Sequence, residues 1–164
     1  MSQSSEADNL IRIMRHLAYP VTIVTARAGN RMRGITIGSF TSLSLDPPLI
    51  SFNVTRDSQM YELFEQSSQF VVHFPCARQD ALCTRFSLPD QSDDEQFDSI
   101  ELDDSGPDGP PLLAGVNSRI HCRLEELKPA GDHSIVIGRL TRSEFLKEEP
   151  AILYMNGQYR SLPN

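Results

Sequence analysis

The chain has no tryptophan, only three cysteines in 164 residues, and no basic cluster to set against its acidic excess. Each shortage closes off a class of function. Cys76, Cys83 and Cys122 are odd in number and none stands in a Cys-x-x-Cys, so a disulfide framework and a thiolate zinc site are both disfavoured. A formal net charge of −7 leaves little to neutralise a nucleic-acid backbone or an anionic lipid surface. No apolar run approaches the ~18 residues of a membrane span, and residues 1–9 show neither the basic flank nor the apolar core of an export signal. Neither a GxGxxG nor a Walker A sequence occurs, which removes the usual Rossmann and P-loop sites. His16, His73 and His121 fall at no metal-ligand spacing, and Asp93-Asp94-Glu95 lacks the ordered ligands and the glycine of an EF-hand. The expectation is a soluble, cytoplasmic protein acting on small molecules, with no nucleic acid, membrane or metal among its partners.

What is present suits one globular unit, since 39% apolar and 23% charged residues are enough for a single core. We expect a flexible segment over residues 1–9 and one domain over 10–164. Leu10, Ile13, Met14 and Leu17 recur at i, i+3, i+4 and i+7, which predicts an amphipathic helix capped at Ser4 or Ser5 and ended by Pro20. Strands follow at 21–25, 33–39, 49–54 and 70–74, with short helices near 58–64 and 79–86. Residues 89–104 are acidic and read as an exposed, mobile excursion. Alternation from Val116 to Leu127, a connection over 128–133, and a return over 134–140 predict a hairpin, and strands at 151–155 and 159–162 flank Asn156-Gly157. Strands joined by hairpins and short helices favour a mainly β architecture, an antiparallel sheet closing into a barrel.

Two features carry chemistry. The run from Gly34 to Leu49 holds Thr36, Ser39, Thr41, Ser42 and Ser44 with two permissive glycines, a supply of small donors that lets backbone lie against a flat polar ring. Far downstream, His133 places one imidazole beside a tight turn. On composition alone such a run is more often an edge strand and loop, and such a histidine a solvated one. Cys76 and Cys83 read as buried or incidental thiols, and Tyr154 and Tyr159 as core packing.

The order of these signals over residues 10–162 resembles the flavin reductase-like family, the FMN-binding split barrels. The matching pieces are Val21-Thr-Ile-Val-Thr25, Gly34-Ile-Thr36 into Ser39-Phe-Thr-Ser42, Leu45-Asp-Pro-Pro-Leu49, Phe52-Asn-Val54, Phe70-Val-Val-His-Phe74, and Pro129-Ala-Gly-Asp-His133 before a strand. The resemblance implies an antiparallel split β-barrel that binds FMN, or FAD, and oxidises NADH or NADPH by hydride transfer to flavin N5. It implies that Thr36, Ser39, Phe40, Thr41 and Ser42 line the flavin, that Asn53 and Ser58 lie near the ribityl-phosphate, and that Arg85 and Phe86 reach the cofactor. His133 would stand beside the nicotinamide as the catalytic-site residue. A homodimer with sites near the subunit boundary, and a partner monooxygenase receiving reduced flavin, are implied as well. Tyr19-Pro20 departs from the Thr-Gly common in the family. Two other readings stay open: a flavin-binding electron carrier or storage protein that does not oxidise nicotinamide, and a cofactor-free split barrel that only dimerises.

Overall fold

The computed structural model describes residues 3–161. Four helices, α1 (Gln3–Arg15), α2 (Gln59–Phe64), α3 (Asp80–Arg85) and α4 (Asp93–Phe97), sit around strands β1 (Tyr19–Pro20), β2 (Thr22–Ala28), β3 (Arg31–Ile37), β4 (Thr41–Leu45), β5 (Pro48–Thr55), β6 (Gln69–Phe74), β7 (Leu102–Asp103), β8 (Leu112–Leu113), β9 (Ser118–Ala130), β10 (His133–Phe145), β11 (Ile152–Met155) and β12 (Gln158–Ser161). Helix α1 starts at Gln3, ahead of the cap expected at Ser4 or Ser5, with Glu6 in the first turn complementing the helix dipole. Leu162, expected to end the last strand, lies outside the described residues.

Seven strands form one antiparallel sheet in the order β3-β2-β6-β9-β10-β5-β4. Alternation explains how it curls. Ile50, Phe52 and Val54 of β5, Phe70 and Val72 of β6, and Ser134 and Val136 of β10 point inward, and α2 closes the core with Met60, Leu63 and Phe64. Phe52, Phe64 and Phe70 meet edge-on or tilted at 5.5–6.0 Å between ring centroids. Strand β2 is buried on both faces. Its Val24 and Ala26 belong to this core, while Ile23 joins a second one with Cys83, Phe86, Phe97, Leu113 and Val116.

The acidic segment corrects the expectation of a mobile excursion. Ser92 and Glu95 form a reciprocal capping box that starts α4, and the helix buries Gln96 and Phe97. Gln96 accepts from the Gly34 N–H and donates to the Gly34 carbonyl, completing the outer edge of β3. Asp93 pairs with the buried Arg33 at 3.2 Å. Charge here is a tether: a buried guanidinium on β3 needs a carboxylate partner.

Candidate functional site

The two end strands of the sheet, β3 and β4, do not pair with each other, and the chain between them crosses the gap at Gly38-Ser39-Phe40. Beside this split lies a cavity of about 790 Å³. Register explains who faces it. His133 stands opposite Thr55, and Ile135 opposite Asn53, so the outward residues of β5 and β10 converge on one wall. Ile35, Thr36 and Ile37 of β3 provide the facing wall, and Tyr154 and Tyr159 on the strands of the last hairpin close one end.

Hydrogen bonds decide what each polar group offers. The Thr36 hydroxyl donates to the Cys83 carbonyl at 2.6 Å, and its N–H donates to the Phe86 carbonyl, so toward the cavity it presents lone pairs. The Ser39 hydroxyl accepts from the Asn53 N–H at 2.9 Å, continuing the β4–β5 ladder by side chain and keeping its own proton to donate. The His133 Nδ1 lies 2.7 Å from Asp132, and since an ionised carboxylate only accepts, Nδ1 carries the proton. Its Nε2, 3.4 Å from the Thr55 hydroxyl, faces the cavity as an acceptor when the ring is neutral. The His133 hydrogen bond in turn holds the exposed Asp132 carboxyl below its usual range. Gly131, at φ +65°, allows the two-residue turn that brings this pair to the rim.

A second cavity of about 560 Å³ meets the first at Thr36, Thr55 and Ser87. Ser58 borders it while capping α2, accepting from the Tyr61 N–H and donating to the Thr55 carbonyl. Phe86 also borders it, buried against Phe97 and hard against Gly34, where a Cβ would come within 2.4 Å of its ring. Arg85 points elsewhere: its guanidinium donates to the Glu95 carbonyl beside a separate acidic depression.

The structure therefore brings Thr36, Ser39, Asn53 and His133 together around one cavity and places Ser58 and Phe86 at the adjoining one. Phe40 instead packs its ring edge-on against Phe74 at 5.2 Å, and Thr41 and Ser42 lie on the exposed strand β4, outside the cavity of this chain. Tyr159 packs against the second core as expected and also lines the cavity, whereas Tyr154, expected in the core, is exposed on the cavity wall, the two rings meeting edge-on at 5.3 Å. Thr55 and Ile135 were missed, yet each is two residues from a predicted site residue or turn histidine and shares its strand face. Nothing in the sequence pattern marks Ser87, while Tyr19, noted only as a departure from the family's Thr-Gly, also lines the cavity. His73, by contrast, is a satisfied core group: the Leu113 N–H donates to its Nε2, its Nδ1–H donates to the Ile23 carbonyl, and burial pushes its pKa down to about 3. Among the described residues no cluster of His, Cys, Asp or Glu is arranged to hold a metal ion. An apolar wall of Val21, Ile35, Ile37 and Ile135 with a rim of hydroxyl, amide and imidazole groups fits a flat amphiphilic ring such as a flavin's.

Known proteins share this chain's sequence pattern and fold. A family model described as the flavin reductase like domain matches residues 14–163. An NADH:FMN oxidoreductase of Rhodococcus erythropolis is 34% identical over 151 residues, covering 90% of this chain and 77% of the relative. The crystal structure of BorF, the flavin reductase component of a bacterial two-component tryptophan halogenase, superposes with a TM-score of 0.87 at 34% identity over 96% of this chain and 99% of BorF. That of the flavin reductase HpaC complexed with NADP+ gives 0.87 at 31% identity, over 95% of this chain and 97% of HpaC. The split sheet, the cavity beside it and these matches lead to one conclusion: the chain belongs to the flavin reductase-like family.

Proposed function

We propose that this chain is an NAD(P)H:flavin oxidoreductase that binds FMN, accepts FAD as an alternative, and delivers reducing equivalents to a partner monooxygenase or a small acceptor. The observation that carries the reading is the cavity of about 790 Å³ with His133, Asn53 and Thr55 on one wall, Thr36 on the facing one and two tyrosines at one end, room for two stacked rings. Bound flavin supplies a two-electron acceptor for the hydride of a reduced nicotinamide, chemistry that needs little acid or base from the protein. The side chains then have to bind, align and exclude water.

Each residue takes a share of that work. The aliphatic wall shields one ring face, the Ser39 hydroxyl donates and the Thr36 hydroxyl accepts at the polar edge, and the Asn53 amide does either. Thr55 and Ser58 line the way into the second cavity, where the ribityl chain and phosphate belong. Phe86 holds Thr36 in place through its carbonyl, while the Arg85 side chain is engaged with the Glu95 carbonyl away from the cavity. His133 accepts from the carboxamide N–H of the nicotinamide through Nε2, oriented by Asp132. It positions the donor ring.

Phe40, Thr41 and Ser42 stand beside the exposed Leu43 and Leu45, and we assign their contact with flavin to the boundary of a homodimer. The three free, buried cysteines suit the reducing cytoplasm, and burial pushes the Cys83 and Cys122 thiols up to about 12. Anaerobic mixing of the FMN-loaded protein with NADH or NADPH tests the reading by the bleaching of the yellow chromophore. Rapid bleaching is expected. Bound flavin that does not bleach makes the protein a carrier, and protein that leaves added FMN unchanged makes it a cofactor-free module.

A further inference from the structure

Arg12, Arg15 and His16 have no part in the site described above. They recur at i, i+3 and i+4 along α1 and the turn that follows it, opposite the apolar row of Leu10, Met14 and Leu17. None of the three forms an ion pair among the described residues, although Asp8 lies one turn before Arg12. The helix dipole explains cations in a last turn. It does not explain a cavity.

Between these residues and Tyr154, Asn156 and Gly157 lies a cavity of about 480 Å³. It is a built feature. The Asn156 N–H donates to the Arg15 carbonyl at 2.8 Å, fastening the β11–β12 turn to the helix end. Asn156 and Gly157, at φ +53° and +76°, give that turn its tight geometry. Tyr154 lines this basic cavity and also the larger one onto which His133 faces, so one residue borders both.

We infer that the basic cavity takes the phosphates on the adenosine half of the nicotinamide donor, so that the dinucleotide lies with its nicotinamide at His133 and its adenylate phosphates at Arg12, Arg15 and His16. The inference rests on the hydride-transfer reading above. A dinucleotide carries a pyrophosphate beyond the ribose of its reacting ring, NADPH adds a 2′-phosphate, and planar guanidinium groups match phosphate oxygens two at a time. The FMN phosphate does not compete for the site, because the second cavity, which runs off by Thr55 and Ser58, borders neither Tyr154 nor the arginines.

Steady-state kinetics with FMN as acceptor test it, comparing NADH, NADPH and reduced nicotinamide mononucleotide, which lacks the adenylate. The double variant Arg12→Gln/Arg15→Gln keeps good helix formers on an exposed face, and circular dichroism verifies its fold. The KM for NADH rises about tenfold, the sum of two lost charge-assisted contacts, while kcat stays within about twofold. The KM for the mononucleotide moves far less, and the salt dependence of the NADH KM flattens. A larger rise for NADPH assigns the cavity to the 2′-phosphate, and equal rises assign it to the pyrophosphate. Unchanged NADH kinetics in a turning-over variant overturn the inference alone. So do parallel rises for NADH and the mononucleotide, or a rise confined to FAD as acceptor. Failure of the wild-type chain to oxidise any nicotinamide removes the parent reading and this inference with it.

Discussion

His73 makes stability depend on pH in a way that can be worked from its surroundings. Its imidazole is fully buried, with Nδ1–H donating to Ile23 and Nε2 accepting from Leu113, so a second ring proton would break the latter bond and place a charge near the guanidinium of Arg119. Burial, first, and Arg119, second among the opposing influences, depress the folded pKa from 6.5 to about 3. The sign follows directly. A group that binds its proton more weakly when folded contributes stability above the unfolded pKa, and that contribution is lost as pH falls from 6.5 toward 3. Between about pH 7.5 and about pH 5 the loss from this residue amounts to about 2 kcal/mol, a sizeable share of a typical domain's stability. Urea unfolding of wild type and His73→Gln across that range isolates the contribution. The variant starts less stable, through two disturbed hydrogen bonds, and the gap narrows by about 2 kcal/mol toward acid because only wild type carries the linkage. Parallel stability curves, or a His73 imidazole NMR signal titrating near neutrality in the native protein, would refute the reasoning.

Replacing His133 with Ala removes an acceptor facing the cavity, so the nicotinamide KM should rise about tenfold while FMN affinity stays within about twofold; an unmoved KM in stopped-flow and steady-state assays removes His133 from donor positioning. Ser39→Ala deletes both a cavity donor and the acceptor for the Asn53 N–H, and FMN fluorescence titration should show a Kd raised about fivefold or more, with Ser42→Ala weaker in any protein kept monomeric. Gly138→Ala puts a Cβ within 2.4 Å of the tip of Phe70, which Phe52 and Phe64 hold in place, and should cost about 2 kcal/mol in urea unfolding. Phe70→Leu opens space at that point, so the double variant should lose about 1 kcal/mol less than the two single losses added; strict additivity would show that the clash is relieved elsewhere.

Sequence alone was enough for the features that rest on local chemistry. Alternation along β5, β9 and β10, the Gly131-Asp132 and Asn156-Gly157 turns, and the hydroxyl run around Ser39 are encoded within a few residues of one another, so element type, the antiparallel arrangement and several of the polar residues now seen around the cavity were legible. The tertiary structure decided which of these residues share a site. Strand register set His133 against Thr55 and Asn53 against Ile135, a pairing that a shift of one residue would have turned to the other face. The same long-range packing drew Tyr154 from the far end of the chain onto the cavity, left Thr41 and Ser42 on an exposed strand, and turned the acidic stretch into a helix tied to Arg33 and Gly34. Spacing along the chain specifies which face a side chain takes, but what that face meets depends on contacts between residues tens of positions apart, which no local pattern records.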